Sequence, residues 1–102
     1  MDMTQGIVII AMGDEYEKLA AYTMAISSYY VKVPIAVLTN VKYRHEKWKD
    51  AQNIEFIYVD ISTDSNREVK NQLYKYSPFG ETIYLDCDSV ITRYGIESVF
   101  DF

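Results

Sequence analysis

"GIVIIAMGDEY", residues 6–16, decides how the rest of the chain is read. Ile7–Met12 is a short, β-branched-rich apolar run bounded by Gly6 and Gly13. A run that is continuous rather than alternating suits a strand covered on both faces. Asp14 follows as a helix cap or first-turn acid, and Glu15 and Glu17 favour the positive end of a helix. Tyr16, Leu19, Ala20, Thr23, Ile26, Ser27 and Tyr30 then recur at i, i+3, i+4, i+7 spacing. That spacing predicts a helix reaching about Tyr30, with these residues as its buried face.

Working outward, "VPIAVLTN" (33–40) predicts a second buried strand from near Pro34 to Thr39-Asn40. After the polar stretch 42–53, "IEFIYVD" (54–60) predicts a third strand running into Asp60. "STDSNREVK" (62–70) carries turn and cap residues, and Val69, Leu73 and Tyr76 mark a second helical face. Ser77-Pro78 ends that helix, and Gly80 permits the turn into a fourth strand, "TIYLDCD" (82–88). "GIESVFDF" (95–102) begins a further short helix. The order β-α-β-(short helix)-β-α-β predicts one α/β domain over residues 1–102, a three-layer, Rossmann-like sandwich with a mainly parallel sheet ordered 3-2-1-4. In such sheets ligands bind outside the carboxyl ends of the strands. Gly13-Asp14, Asn40, Asp60 and the pair Asp86/Asp88 sit at those predicted ends.

Bulk properties narrow the partners. A 102-residue chain with 49% hydrophobic residues is a folded globule and one domain in size. Net charge is −5, which argues against nucleic acid, because neutralising phosphates needs a basic surface. The basic cluster "KYRHEKWKD" (42–50) contains two acids and reads as a solvated loop or short helix, with His45 exposed in it. The single cysteine, Cys87, excludes an internal disulfide and reads as a small buried residue in a reducing compartment. No basic leader and no span-length apolar segment is visible, so the expectation is a cytoplasmic protein without a membrane span. Ten tyrosines against four phenylalanines suit half-wet clefts and partner faces.

The chemistry concentrates in "ETIYLDCDSVI" (81–91). Residues i and i+2 of a strand project to one face, so Asp86 and Asp88 converge where the strand frays, with Cys87 pointing away. Hard oxygen donors suit Mg²⁺ or Mn²⁺, which take one or two carboxylates plus substrate phosphates. The structural alternative is an acidic strand end that caps the next segment. Asp-x-Asp followed by Ser89-Val90 resembles the nucleophile motif of haloacid-dehalogenase-type phosphatases, but only 14 residues follow Asp88, too few for the rest of that site. A receiver-type signalling domain would use Asp14-Glu15 as its acid pair and Asp60 as phosphoacceptor, yet a lysine at the end of a later strand is missing.

"IVIIAMGDEYEKLAAYTMAISS", "PIAVLTN" and "VKNQLYKYSPFGETIYLDCDSVI" together resemble the N-terminal donor-binding portion of a GT-A fold nucleotide-sugar glycosyltransferase of the glycogenin-like family 8. The resemblance implies a domain that binds a nucleotide-diphosphate sugar, a UDP-sugar in particular, for hexosyl transfer to an acceptor hydroxyl. It assigns the end of strand one, Ile10, Met12 and Gly13, together with Tyr16, to the base and ribose. Lys70 falls to the phosphate or sugar region, and Asp86 and Asp88 to Mn²⁺ or Mg²⁺, with Asp86 also reaching the donor. Gly13 and Met12 stand where the family often has asparagine and threonine, which removes two side-chain hydrogen bonds to the nucleotide. The family's acceptor half and its later metal-binding histidine have no counterpart here. The expectation is therefore a portion of a longer enzyme or a chain that needs a partner; a catalytically idle sugar-nucleotide-binding or interaction domain is the alternative. An open sheet edge and uncovered apolar surface would favour a homo-oligomer.

Overall fold

A computed structural model of the chain describes residues 5–60, 66–70 and 73–96. Four strands, β1 (Gln5–Ile10), β2 (Ile35–Thr39), β3 (Ile54–Tyr58) and β4 (Glu81–Leu85), form one sheet. Every pairing is parallel and the order is β3-β2-β1-β4, the α/β arrangement expected from the sequence. Ile7 pairs with Ile35 on one side of β1 and with Ile83 on the other, so β1 lies in the middle of the sheet.

Both faces of β1 are covered, as its unbroken apolar run demands: Ile7 to Met12 are fully buried. Alternation splits them. Ile7, Ile9 and Ala11 pack with Ala20, Ala21 and Met24 of helix α1 (Asp14–Ser27), and with Ile35, Val37, Trp48 and Cys87. Val8, Ile10 and Met12 pack on the other face with Ala36, Leu38, Val59 and Val69, the last from the short helix α2 (Asn66–Lys70). Tyr76, from α3 (Leu73–Tyr76), Phe79 and Tyr84 complete that layer. Each fully buried Ile or Leu side chain contributes about 1.5–3 kcal/mol of transfer free energy. Phe79 lies directly against Gly6, where a Cβ would overlap its ring, so glycine at the start of β1 is what lets this layer close down.

α1 buries a different stripe from the one its apolar spacing predicts. Glu17, Ala20, Ala21, Thr23, Met24 and Ser27 face inward, whereas Tyr16, Leu19 and Ile26 are exposed. Two forces turn the helix. Small side chains at 20, 21 and 27 allow close approach to the sheet, and Glu17 is drawn in by the Trp48 indole N–H at 2.7 Å and the His45 backbone N–H at 3.0 Å. Both donors meet Glu17 Oε2; its Oε1 is buried without a partner. Trp48 belongs to a five-residue 3₁₀ turn, Glu46–Asp50, whose first N–H groups are capped by His45 Nδ1 accepting from Lys47. His45 is thus half-buried and structural rather than exposed. The helix expected over 95–102 and the cap residues expected at 62–65 fall outside the described residues from 97 onward and at 61–65.

Candidate functional site

The chain changes direction across the sheet between β1 and β4. α1 leaves β1 on one face, while α2 and α3 lead into β4 on the other. The crevice between the carboxyl ends of β1 and β4 is therefore the switch point at which open parallel sheets accept ligands. Two adjoining lobes flank the end of β1, one toward β2 and the other toward β4 at this switch point, and Tyr16 lines both.

The first lobe, of about 590 Å³, is lined by Met12 to Tyr16 and by Asn40 to Tyr43. Its floor is the turn from β1 into α1. Gly13 has φ 86° and ψ 163°, a conformation open essentially to glycine alone, so the asparagine common at this place in the resembling family would be strained here. Gly13, not Asp14, stands at the cap position, and Asp14 opens the helix without capping it. The Gly13 N–H donates to Asn40 Oδ1 at 2.9 Å, and the Met12 N–H donates to Asn66 Oδ1 at 2.9 Å. Tyr43 hydrogen-bonds to Asp14, which together with burial and the nearby charges of Asp14 and Glu17 raises its pKa. Tyr16 is 42% exposed, so its ring stands in the cleft instead of serving as the first rung of a buried stripe.

The second lobe, of about 500 Å³, is lined by Tyr16, Asn66, Arg67, Lys70, Tyr84, Asp86, Cys87 and Asp88. β4 ends at Leu85, and Asp86–Ser89 is a turn closed by the Ser89 N–H donating to the Asp86 carbonyl at 3.0 Å. The two carboxylates thus share a lobe because of a turn, not because of strand alternation as expected. Both are exposed, while Cys87 between them is 3% exposed and continues the core face of Ile83 and Leu85. Burial, the largest cause, raises the Cys87 thiol pKa, which leaves it a packing group. Tyr84 is likewise held protonated, first by burial and then by its hydrogen bond to Asp86. The Lys70 ammonium lies 4.7 Å from the centre of the Tyr84 ring. Behind the turn, Thr23 Oγ1 donates to the Cys87 carbonyl at 2.8 Å, and Ser27 Oγ accepts from the Ile91 N–H at 2.7 Å.

Of the residues singled out from sequence, Tyr16, Lys70, Asp86 and Asp88 meet in one lobe, and Met12, Gly13 and Tyr16 meet in the other. Ile10 does not join them: it is fully buried in the layer under α2, and lines neither lobe. Met12 contributes to the lobe although it is fully buried, and its N–H is already engaged. Asn66, Arg67, Tyr84 and Tyr43 also line the lobes, though the sequence alone does not single them out. Only Asn66 carried a signal, as a cap-type residue four positions before Lys70.

Two exposed carboxylates on one turn are a suitable hard-oxygen donor set for Mg²⁺ or Mn²⁺. Among the described residues no group of three or more His, Cys, Asp or Glu side chains could hold a metal ion, so those residues offer an ion at Asp86 and Asp88 two carboxylates and leave its other positions to a bound molecule and water. Asp60 follows β3, two strands away from β1, which puts it about 10 Å of sheet width from the acids of the β1 end. Among the described residues no helix is long and apolar enough to cross a membrane. No family model matches the sequence, and no curated protein matches it significantly.

Proposed function

We propose that the crevice binds a nucleotide-diphosphate sugar, with a UDP-sugar as the first candidate, as the donor site of a GT-A-type glycosyltransferase. The observation that carries the reading is the meeting of Tyr16, Lys70, Asp86 and Asp88 in one lobe at the β1–β4 switch point.

The chemistry of the two lobes assigns the parts of the donor. The first lobe holds Asp14 and Glu15 with two tyrosine rings. Carboxylates there repel phosphate and accept hydrogen bonds from ribose hydroxyls, and a tyrosine face stacks on a base. The second lobe mixes Arg67 and Lys70 with the two aspartates, a balance suited to a diphosphate that arrives with a cation. Asp86 and Asp88 would hold the ion, and Tyr84 orients Asp86 by donating to it. When bound, the ion neutralises charge growing on the departing diphosphate. Lys70 adds a fixed positive charge on the same side. The Met12 and Gly13 N–H groups are committed to asparagine side chains, so base recognition falls to ring stacking more than to backbone donors. The acceptor hydroxyl takes the sugar at its anomeric carbon while the nucleoside diphosphate leaves.

Calorimetric titration with UDP and UDP-sugars, with and without Mn²⁺, tests the reading. Manganese-dependent binding that Asp88→Ala abolishes supports it. Binding without sugar hydrolysis or transfer favours the idle domain of the same fold. No binding, with acetyl-phosphate labelling of Asp60, favours the receiver alternative, against which the strand order β3-β2-β1-β4 already speaks because β2 separates Asp60 from Asp14.

A further inference from the structure

Besides Tyr16, which lines both lobes, one side chain hydrogen-bonds across from one to the other. Asn66, the first residue of α2, accepts the Met12 N–H through Oδ1 at 2.9 Å and donates from Nδ2 to Cys87 Sγ at 3.6 Å. Met12 forms the floor of the first lobe, and Cys87 is the residue between the two carboxylates of the second. Asn66 lies one helical turn before Lys70 and lines the lobe with it. Met12 and Cys87 are 75 positions apart in sequence, and β1 and β4 pair only as far as Ile9 with Leu85. Beyond that point the ladder stops, and Asn66 continues the connection. The turn is gripped from the opposite side by Thr23 of α1, which donates to the Cys87 carbonyl. Movement of Cys87 toward or away from α2 is therefore restrained through one amide group.

We infer that Asn66 is a positioning residue that couples the cation-holding turn to the nucleoside lobe, so that an ion taken up at Asp86 and Asp88 adjusts the end of β1 before any nucleotide arrives. This rests on the donor-site reading above. Coupling through a hydrogen-bonded side chain requires that the two ends respond to one another, and that the response vanish when either bond is removed.

The test is a titration of ¹⁵N-labelled protein with Mg²⁺ alone, followed by amide chemical shifts, in the wild type, Asn66→Ala and Asn66→Asp. In the wild type, Mg²⁺ shifts the amides of Asp86, Cys87 and Asp88 and also those of Met12 and Gly13. In Asn66→Ala the turn still responds and Met12 and Gly13 fall silent. Asn66→Asp keeps the acceptor for the Met12 N–H but cannot donate to Cys87. The new carboxylate moves the Met12 resonance even without Mg²⁺, so the readout is the Mg²⁺-dependent change, which is lost there. A merely structural role for Asn66 would leave the Mg²⁺-dependent change at Met12 in place in either variant, and that result overturns the inference. So does an equal response of Met12 and Gly13 in all three proteins, or a wild-type response confined to the turn. Absence of any response at Asp86 and Asp88 overturns this inference, whereas the donor-site reading is decided separately by the Mn²⁺-dependent titration with UDP.

Discussion

Replacing Trp48 by phenylalanine isolates the buried polar contact that turns α1 and holds the 3₁₀ segment beside the first lobe. The substitution keeps an aromatic ring against Phe56, which Trp48 meets edge-on at a centroid distance of 4.9 Å, and removes only the indole donor and its outer ring. Glu17, 1% exposed, then keeps the His45 N–H as its one remaining donor, with Oε1 already unpartnered. Leaving a buried acceptor short of its donor costs about 1–3 kcal/mol, and the smaller ring adds a cavity contribution of about 1 kcal/mol. The expected loss is about 2–4 kcal/mol, a large share of the roughly 5–15 kcal/mol typical of such a domain. At about 4–8 °C per kcal/mol, the melting temperature falls by about 8–32 °C. Far-UV circular dichroism in a urea series measures the loss without depending on Trp48, the only tryptophan. A second variant, Glu17→Met with Trp48→Phe, removes both partners and the orphaned oxygen together. It should recover part of the loss, because an apolar pair replaces a half-satisfied polar one. A Trp48→Phe change below about 0.5 kcal/mol, within the range of ordinary surface substitutions, would refute the account. A double variant less stable than Trp48→Phe alone would refute it as well.

Three further outcomes follow from the site. Gly13→Ala forces a Cβ into φ 86°, ψ 163°, so it lowers the urea-derived stability by about 1–3 kcal/mol; a neutral effect would mean that the turn into α1 relaxes freely. Tyr84 has a folded pKa above its ordinary value of 10.0, so its proton contributes stability that is complete below that pH and is lost as pH rises toward the folded value. Tyr84→Phe should therefore flatten the alkaline decline of the urea midpoint above about pH 10, and parallel curves would contradict a raised Tyr84 pKa, whose first cause is burial. Cys87, buried and with its thiol pKa raised, should resist a disulfide-exchange reagent at neutral pH until urea unfolds the chain; rapid native labelling would show an open turn.

How far sequence could reach is visible residue by residue. The strands, their order and the separation of Cys87 from its acidic neighbours were legible because each rests on local rules: a continuous apolar run, side-chain alternation, and the geometry of parallel crossovers. The buried face of α1 was misjudged because hydrophobic spacing counts large side chains. This helix packs through alanines and serine, and Glu17 enters the core for two donors on a distant 3₁₀ turn. Such a partnership, between residues 17 and 48, has no periodic signature. Ile10 was drawn into the site by the resemblance, although its place in the strand buries it. Asn40 and Asn66 illustrate the opposite failure: short polar side chains at segment ends have many uses, and only the assembled sheet shows that they satisfy the N–H groups of Gly13 and Met12.

The pairing of β1 with both β2 and β4 has a consequence during synthesis. Gln5 must wait for Glu81, so the strand at the heart of the sheet emerges first and receives its second neighbour last. At roughly 5–20 residues per second, that interval lasts several seconds on the ribosome. For its duration, Ile7–Ile10 offer a free row of amide and carbonyl groups on an oily ribbon, the kind of surface on which nascent chains stick together. Synthesis arrested between the completion of β2 and the start of β4 should therefore yield the stickiest species this protein ever forms.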